Sequence, residues 1–256
     1  MLERSGELLV DVQCGNMPLL LTCPHDGHEG PLGVPERAAA PGGCDFQKKR
    51  DLRTALVTER VATKIAQATG FSPYVVIARF HRKFIDANRA PECAYTAPAA
   101  AAFYEEYHAR VAGCVGEILR ENRGRGFLFD VHGTREVQGD RADVYIGTGN
   151  GATLPPGFER REIFAPHGLH GLLGALCPPA RRGEPRRGYR VSPADPTAIE
   201  TSRVSGGFTV RKYGLRINSI QLEIADTIRI EPGRRDSFAD DLAVSLVDFV
   251  RRHAPF

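Results

Sequence analysis

The sequence predicts an α/β domain with a mixed, mostly parallel sheet flanked by helices. Short β-branched or aliphatic runs alternate with longer amphipathic stretches, which is the pattern of strands joined by helical crossovers. The 256 residues, 42% hydrophobic and 25% charged, suffice for one buried core. No internal repeat or linker interrupts them, so a single catalytic domain over 1–256 is expected.

In chain order, the run Pro-Leu-Leu-Leu-Thr-Cys predicts a strand over 18–23. Val57, Val61 and Ile65 recur every four residues and Gly70 ends the pattern, predicting a helix over 51–69 with an acidic first turn. Tyr-Val-Val-Ile-Ala-Arg-Phe predicts a strand over 74–80. Phe103, Tyr107, Val111, Val115 and Ile118 form the inner stripe of a helix over 100–122. Strands follow at 127–131 and 143–146, then a helix at 167–176. A strand at 220–224 and a helix at 238–252, with Leu242, Leu246, Phe249 and Val250 inward, complete the set. Two segments fit neither period, 29–49 and 177–207, both rich in proline and suited to functional loops.

Charge and composition narrow the function. Thirty-four Lys and Arg against 31 Asp and Glu leave +3, and the Arg residues are scattered except over 181–190. A nucleic-acid footprint is therefore not expected. No apolar run reaches the roughly 18–20 residues that cross a bilayer, and the first residues are acidic where a signal peptide would be basic, so no membrane association and a cytoplasmic location are expected. Six Cys without a Cys-x-x-Cys pair are expected to be reduced and mostly buried. The expected partner is a small anionic molecule; the oligomeric state is left open.

Ligands of open α/β sheets bind beyond the carboxyl ends of the strands. Three predicted strands end in polar clusters: Thr-Cys-Pro-His25-Asp26-Gly27-His28-Glu29, Arg79-Phe-His-Arg82, and Asp130-Val-His132-Gly. His25 and His132 supply two imidazoles for a catalytic zinc, which takes about three protein ligands and one open position. The third ligand stays open among Asp26, His28, Glu29 and Asp51. Asp130, two residues before His132, shares its side of the strand and suits an acceptor that fixes the imidazole tautomer. Arg79, Arg82 and Arg89 with Asn88 form a cluster whose guanidinium forks match carboxylates. Glu223, on the Gln221 face of a late strand, would be costly there unless paired or working, and a carboxylate beside zinc can take a proton from water.

These segments together resemble the N-formylglutamate amidohydrolase family, zinc-dependent relatives of carboxypeptidases and aspartoacylases. The resemblance rests on Pro24-His25-Asp26-Gly27, Asp51-Leu-Arg-Thr54, Arg79 to Arg89, Asp130-Val-His132-Gly133, Gly206 to Gly214 and Gln221-Leu-Glu223, in that order along most of the chain. It implies a phosphorylase/hydrolase-like, zinc carboxypeptidase-like fold and one zinc ion (Zn2+) per chain. It makes His25 and His132 zinc ligands, with Asp51 favoured as the third over His28 or Glu29. Glu223 would be the general base, and Arg82 would polarise the scissile carbonyl. Asn88 and Arg89 would grip a substrate carboxylate, with Arg79, Arg211 and Tyr213 as further substrate-binding candidates. The implied activity is metal-dependent hydrolysis of a linear amide in an N-acyl amino acid, N-formyl among the candidates, or a similar small carboxylate. Two alternatives stand beside it: a non-catalytic module that binds an anionic metabolite, and a carboxypeptidase-like peptidase.

Overall fold

Strands β1 (Glu3–Arg4), β2 (Val10–Gln13), β3 (Leu19–Cys23), β4 (Tyr74–Ala78), β5 (Phe127–Thr134), β6 (Val144–Gly147), β7 (Val191–Ser192) and β8 (Asn218–Ala225) form one sheet in the order β1-β2-β4-β3-β5-β8-β6-β7. The structure is a computed structural model that describes residues 2–4, 8–39, 43–135, 137, 139–176 and 188–256. Pairings within β4-β3-β5-β8 are parallel, whereas β1, β2 and β6 run antiparallel to their inner neighbours. The expected mixed, mostly parallel α/β sheet is present, extended by short outer strands whose few residues carry little periodic signal.

Helices α1 (Thr54–Thr69), α2 (Pro91–Ala94), α3 (Ala101–Glu121), α4 (Arg160–Phe164), α5 (Leu169–Ala175), α6 (Phe208–Tyr213), α7 (Asp226–Arg229) and α8 (Pro232–His253) connect the strands. The central strands are buried on both faces, which explains their unbroken apolar sequences. Leu19 and Leu21 pack with α1, α5 and α8 on one side, and Leu20 packs with α3 on the other. From β3 the chain passes through α1 to β4 on one flank, and from β4 through α3 to β5 on the opposite flank. The strand order therefore reverses between β3 and β5, the place where open α/β sheets form a crevice at their carboxyl ends.

Two boundary differences shape that crevice. Helix α1 begins at Thr54 rather than at Asp51, because Asp26 caps it from the neighbouring turn: its Oδ2 accepts the Ala55 N–H at 3.0 Å. Asp51 is thereby left outside the helix, its backbone oxygen accepting from Thr54 Oγ1 at 2.7 Å. Strand β5 runs on to Thr134, so His132 lies on the strand itself, beside Glu223 of β8. Helix α8 likewise starts earlier than its apolar stripe, at Pro232, where Glu231 accepts from the Gly233 and Arg234 N–H groups.

The expectation of reduced cysteines is corrected. Cys44 and Cys93 form a disulfide, their Cα atoms 5.8 Å apart, because the 29–49 segment folds back onto α2. Cys23 and Cys114 are free and buried and Cys14 is free and exposed, while Cys177 lies outside the described residues. Among the described residues no helix is long and apolar enough to cross a membrane.

The turn after β3 is seated against backbone. A Cβ at Gly27 would lie 2.3 Å from the Phe80 carbonyl oxygen. Gly27→Ala is expected to destabilise the protein by about 1–3 kcal/mol through this overpacking, read as a lower denaturant midpoint. An unchanged midpoint would show that the turn is not held as tightly as described.

Candidate metal centre and cleft

His25 follows β3, Asp51 precedes α1 and His132 lies on β5, so the switch point brings three segments to one place. His25 Nδ1 is 3.1 Å from His132 Nδ1 and 3.3 Å from Asp51 Oδ2, and His132 Nδ1 is 3.0 Å from the same oxygen. All three residues are buried. The opposite ring nitrogens are occupied: His25 Nε2 lies 2.7 Å from Asp86 Oδ1, and His132 Nε2 lies 2.8 Å from Asp130 Oδ2. An imidazole that donates Nε2–H to a carboxylate presents a lone pair at Nδ1. Two nitrogen lone pairs and a carboxylate oxygen therefore face one another.

Such a triangle needs positive charge at its centre. A proton on one nitrogen satisfies only part of it; a metal ion satisfies all three donors. Tetrahedral zinc, at roughly 2.0–2.2 Å from nitrogen and oxygen ligands, sets its donors about 3.3 Å apart, close to the separations here. His25, Asp51 and His132 thus fit a metal ion. His28 is exposed, and neither it nor Glu29 belongs to the group of buried donors that face one another. Asp26 is spent on Arg50 and on the N-terminus of α1.

The titration of the surrounding groups reflects the same field. Burial opposes charge on Asp51, but hydrogen bonds and charge from His132 and His25 hold its carboxyl well below the usual range. Burial works against Asp86 too, and His25 and Arg82 more than offset it. His132 is desolvated, yet Asp130 and Asp51 raise its pKa well above the ordinary imidazole value. Glu223 moves the other way: desolvation pushes it up to about 7, with His132 opposing and Asp51 adding to the rise.

A cleft of about 810 Å³ opens beside the triad. Arg82, Asn88, Arg89, Arg211 and Glu223 line it. Arg82 Nη2 donates to Asp86 Oδ2 at 2.7 Å, so a single buried carboxylate orients both His25 and Arg82. Arg82 Nη1 makes only long contacts, 3.4 Å to Lys49 O and 3.5 Å to Asp51 Oδ1. Asn88 is anchored by accepting the Thr209 N–H at 2.8 Å, and its Nδ2 lies 3.1 Å from His132 Nε2. Arg89 donates to Asp45 at 2.8 Å.

Two expected substrate-binding residues lie elsewhere. Arg79 donates to Asp11 of β2 at 2.6 Å and to Glu59 of α1 at 2.5 Å. Tyr213 is buried against His108, whose backbone oxygen accepts its hydroxyl at 2.9 Å. Neither lines the cleft. Conversely, sequence reasoning assigned no role to Asp86 or Arg229. Arg229 is buried at the cleft wall and donates to the carbonyls of Leu52 and Ile224, at 2.5 and 3.2 Å. Its only local signal is Gly133, where a Cβ would stand 2.3 Å from Arg229 Nε. Gln221 connects two parts of the wall, accepting the Gly207 N–H at 2.6 Å and donating to Glu223 Oε1 at 3.0 Å. Gly207 itself admits no side chain, since a Cβ would lie 2.1 Å from Asn88 Nδ2.

Among solved structures the chain is similar to N-formylglutamate amidohydrolase from Ralstonia eutropha JMP134. The two superpose with a TM-score of 0.62 at 17% identity, over 96% of this chain and 99% of that one. The fold is that of N-formylglutamate amidohydrolase. Gene product Atu2144 from Agrobacterium tumefaciens shares it, with a TM-score of 0.55 at 16% identity over 95% of each chain. No protein-family model matches the chain, and no curated protein matches it in sequence. The amidohydrolase-like fold thus extends over nearly the whole chain while the sequences have diverged.

Asp86→Asn and Asp130→Asn each remove the acceptor that fixes an imidazole. Each is expected to weaken the binding of a divalent metal ion by roughly 10- to 100-fold, measured by competition with a chromophoric chelator on variants that keep the wild-type circular dichroism spectrum. Unchanged affinity in both would show that these carboxylates do not set the tautomers.

Proposed function

We propose that the protein is a zinc-dependent amidohydrolase that cleaves the linear amide of an N-acyl amino acid, with the N-formyl group as the leading acyl candidate. The observation that carries this reading is the pairing of His132 with Glu223 across β5 and β8. It sets a carboxylate with a pKa of about 7 beside the His25–Asp51–His132 donor triangle, in a cleft that also holds Arg82. The likeness of fold to an N-formylglutamate amidohydrolase supports the reaction class.

Zinc held by His25, Asp51 and His132 would supply a Lewis acid and lower the pKa of water to about 7. Glu223, with a pKa close to neutral, is matched to accept a proton from water at its carboxylate and to return it to the departing amine. As water adds to the acyl carbon, the negative charge that grows on the carbonyl oxygen is met by Arg82, whose Nη1 has donor capacity to spare. Collapse breaks the C–N bond and releases a carboxylic acid and a free amine. Asn88 and Arg89 are assigned to the substrate carboxylate; Asn88 is rigid, since Thr209 holds its amide oxygen. Gln221 donates to Oε1 of Glu223, which leaves the other carboxylate oxygen for the proton.

Glu223→Gln is expected to retain zinc and fold while turnover of N-formyl and N-acetyl amino acids falls by about 10²- to 10⁴-fold. Near-normal turnover would remove Glu223 from the role of base. His132→Ala is expected to lose bound zinc, read by elemental analysis of the purified protein. Full zinc occupancy in that variant would remove His132 from the ligand set.

A further inference from the structure

The cleft is far more cationic than the chain that forms it. Eight Lys and Arg side chains line it against four Asp and Glu, an excess greater than the +3 of all 256 residues. Four of the eight already have partners within the protein. Arg50 is paired with Asp26, Arg82 with Asp86, Arg89 with Asp45, and Arg229 binds backbone carbonyls. Lys49, Arg135, Arg203 and Arg211 have no ion-pair partner among the described residues, and all four are exposed. Like charges gathered around one concave surface repel one another, and a cleft lined by one sign concentrates its field on whatever enters. A single amino-acid carboxylate is already served by Asn88 and Arg89. The cleft, at about 810 Å³, lies toward the upper end of the roughly 300–1,000 Å³ of sites for drug-sized ligands, which leaves space beyond one amino acid.

We propose that the substrate is an oligoanion: an N-acylated short acidic peptide whose successive carboxylates are held by Lys49, Arg135, Arg203 and Arg211 along the rim. This rests on the amidohydrolase reading for the reaction, but the rim stands as a binding site whether or not the amide is cut. Arginine forks favour carboxylate partners that can be held bidentately. The acyl end reaches the donor triangle and Glu223, and the peptide extends outward between the 43–50 segment, Arg135 and the Arg203–Arg211 segment. Hydrolysis adds water across the N-acyl bond and leaves the peptide intact, so the reaction products are a short acid and a free acidic peptide.

The experiment compares zinc-loaded enzyme on N-formyl-glutamate, N-formyl-diglutamate and N-formyl-triglutamate, with N-formyl-triglutamine as the neutral control of equal length. The expected result is a rise in kcat/KM of about tenfold or more from one to three glutamates. That rise should be absent for the triglutamine compound, abolished in about 0.5 M sodium chloride, and removed in the double variant Arg135→Ala/Arg203→Ala. Equal kcat/KM across the series, or an equal gain with triglutamine, would overturn the proposal. If none of the formyl compounds turns over, the reaction assignment fails instead, and calorimetry with triglutamate and glutamate decides the rim. Tighter binding of triglutamate by about tenfold, lost in the double variant, supports it; equal affinities overturn it.

Discussion

Three lone pairs that face one another in a buried site are the constraint on which the rest of the structure turns. Without a metal ion, only protons on the imidazoles can bridge His25, Asp51 and His132 across about 3 Å, as the raised pKa of His132 reflects. The neighbouring side chains hold the three groups in this arrangement. Asp86 and Asp130 draw the ring protons to the far nitrogens, Thr22 donates to the remaining oxygen of Asp130 at 2.6 Å, and Arg82 balances Asp86. Every one of these groups is buried and hydrogen-bonded, so the arrangement cannot relax by turning a carboxylate to solvent. A metal ion at the centre would meet all three donors at once.

The sheet supplies the geometry. Strands β3 and β5 diverge in connection at the switch point, which opens space at their carboxyl ends, and β8 is added on the far side of β5 in parallel register. That register sets Glu223 level with His132 and Gln221 level with Asp130. With a period of two, a one-residue slip of β8 would turn Glu223 away from the cleft and bring an aliphatic neighbour in its place. Isoleucines and a leucine on the opposite face, all fully buried against the helices, make that slip costly. The position of Glu223 is therefore fixed by packing in the hydrophobic core rather than by contacts within the site.

Much of this was legible in the amino-acid order. The apolar runs located the central strands, and His25, Asp130 and His132 showed through because each follows or ends such a run. Asp51 could be favoured only by resemblance, because its position depends on where α1 begins, and that is decided by Asp26 from another segment. Arg79 read as part of a substrate cluster because it stands at a strand end among other arginines; its partners, Asp11 and Glu59, come from elements that no local pattern connects to it. Tyr213 was misplaced for a similar reason, since its partner His108 lies 105 residues away on α3. The Cys44–Cys93 link joins positions 49 apart, across α1 and β4, and leaves no periodic trace. What the sequence hides is pairing between distant segments; what it displays is the local pattern that makes each segment fold.

The most direct test of the account is a crystal structure of protein prepared with zinc, with anomalous differences collected on either side of the zinc edge. The account predicts one strong peak per chain, within about 2.0–2.2 Å of His25 Nδ1, His132 Nδ1 and an oxygen of Asp51. Density for zinc at a different group of residues, or no peak there with the two imidazoles joined by a hydrogen bond, would contradict it.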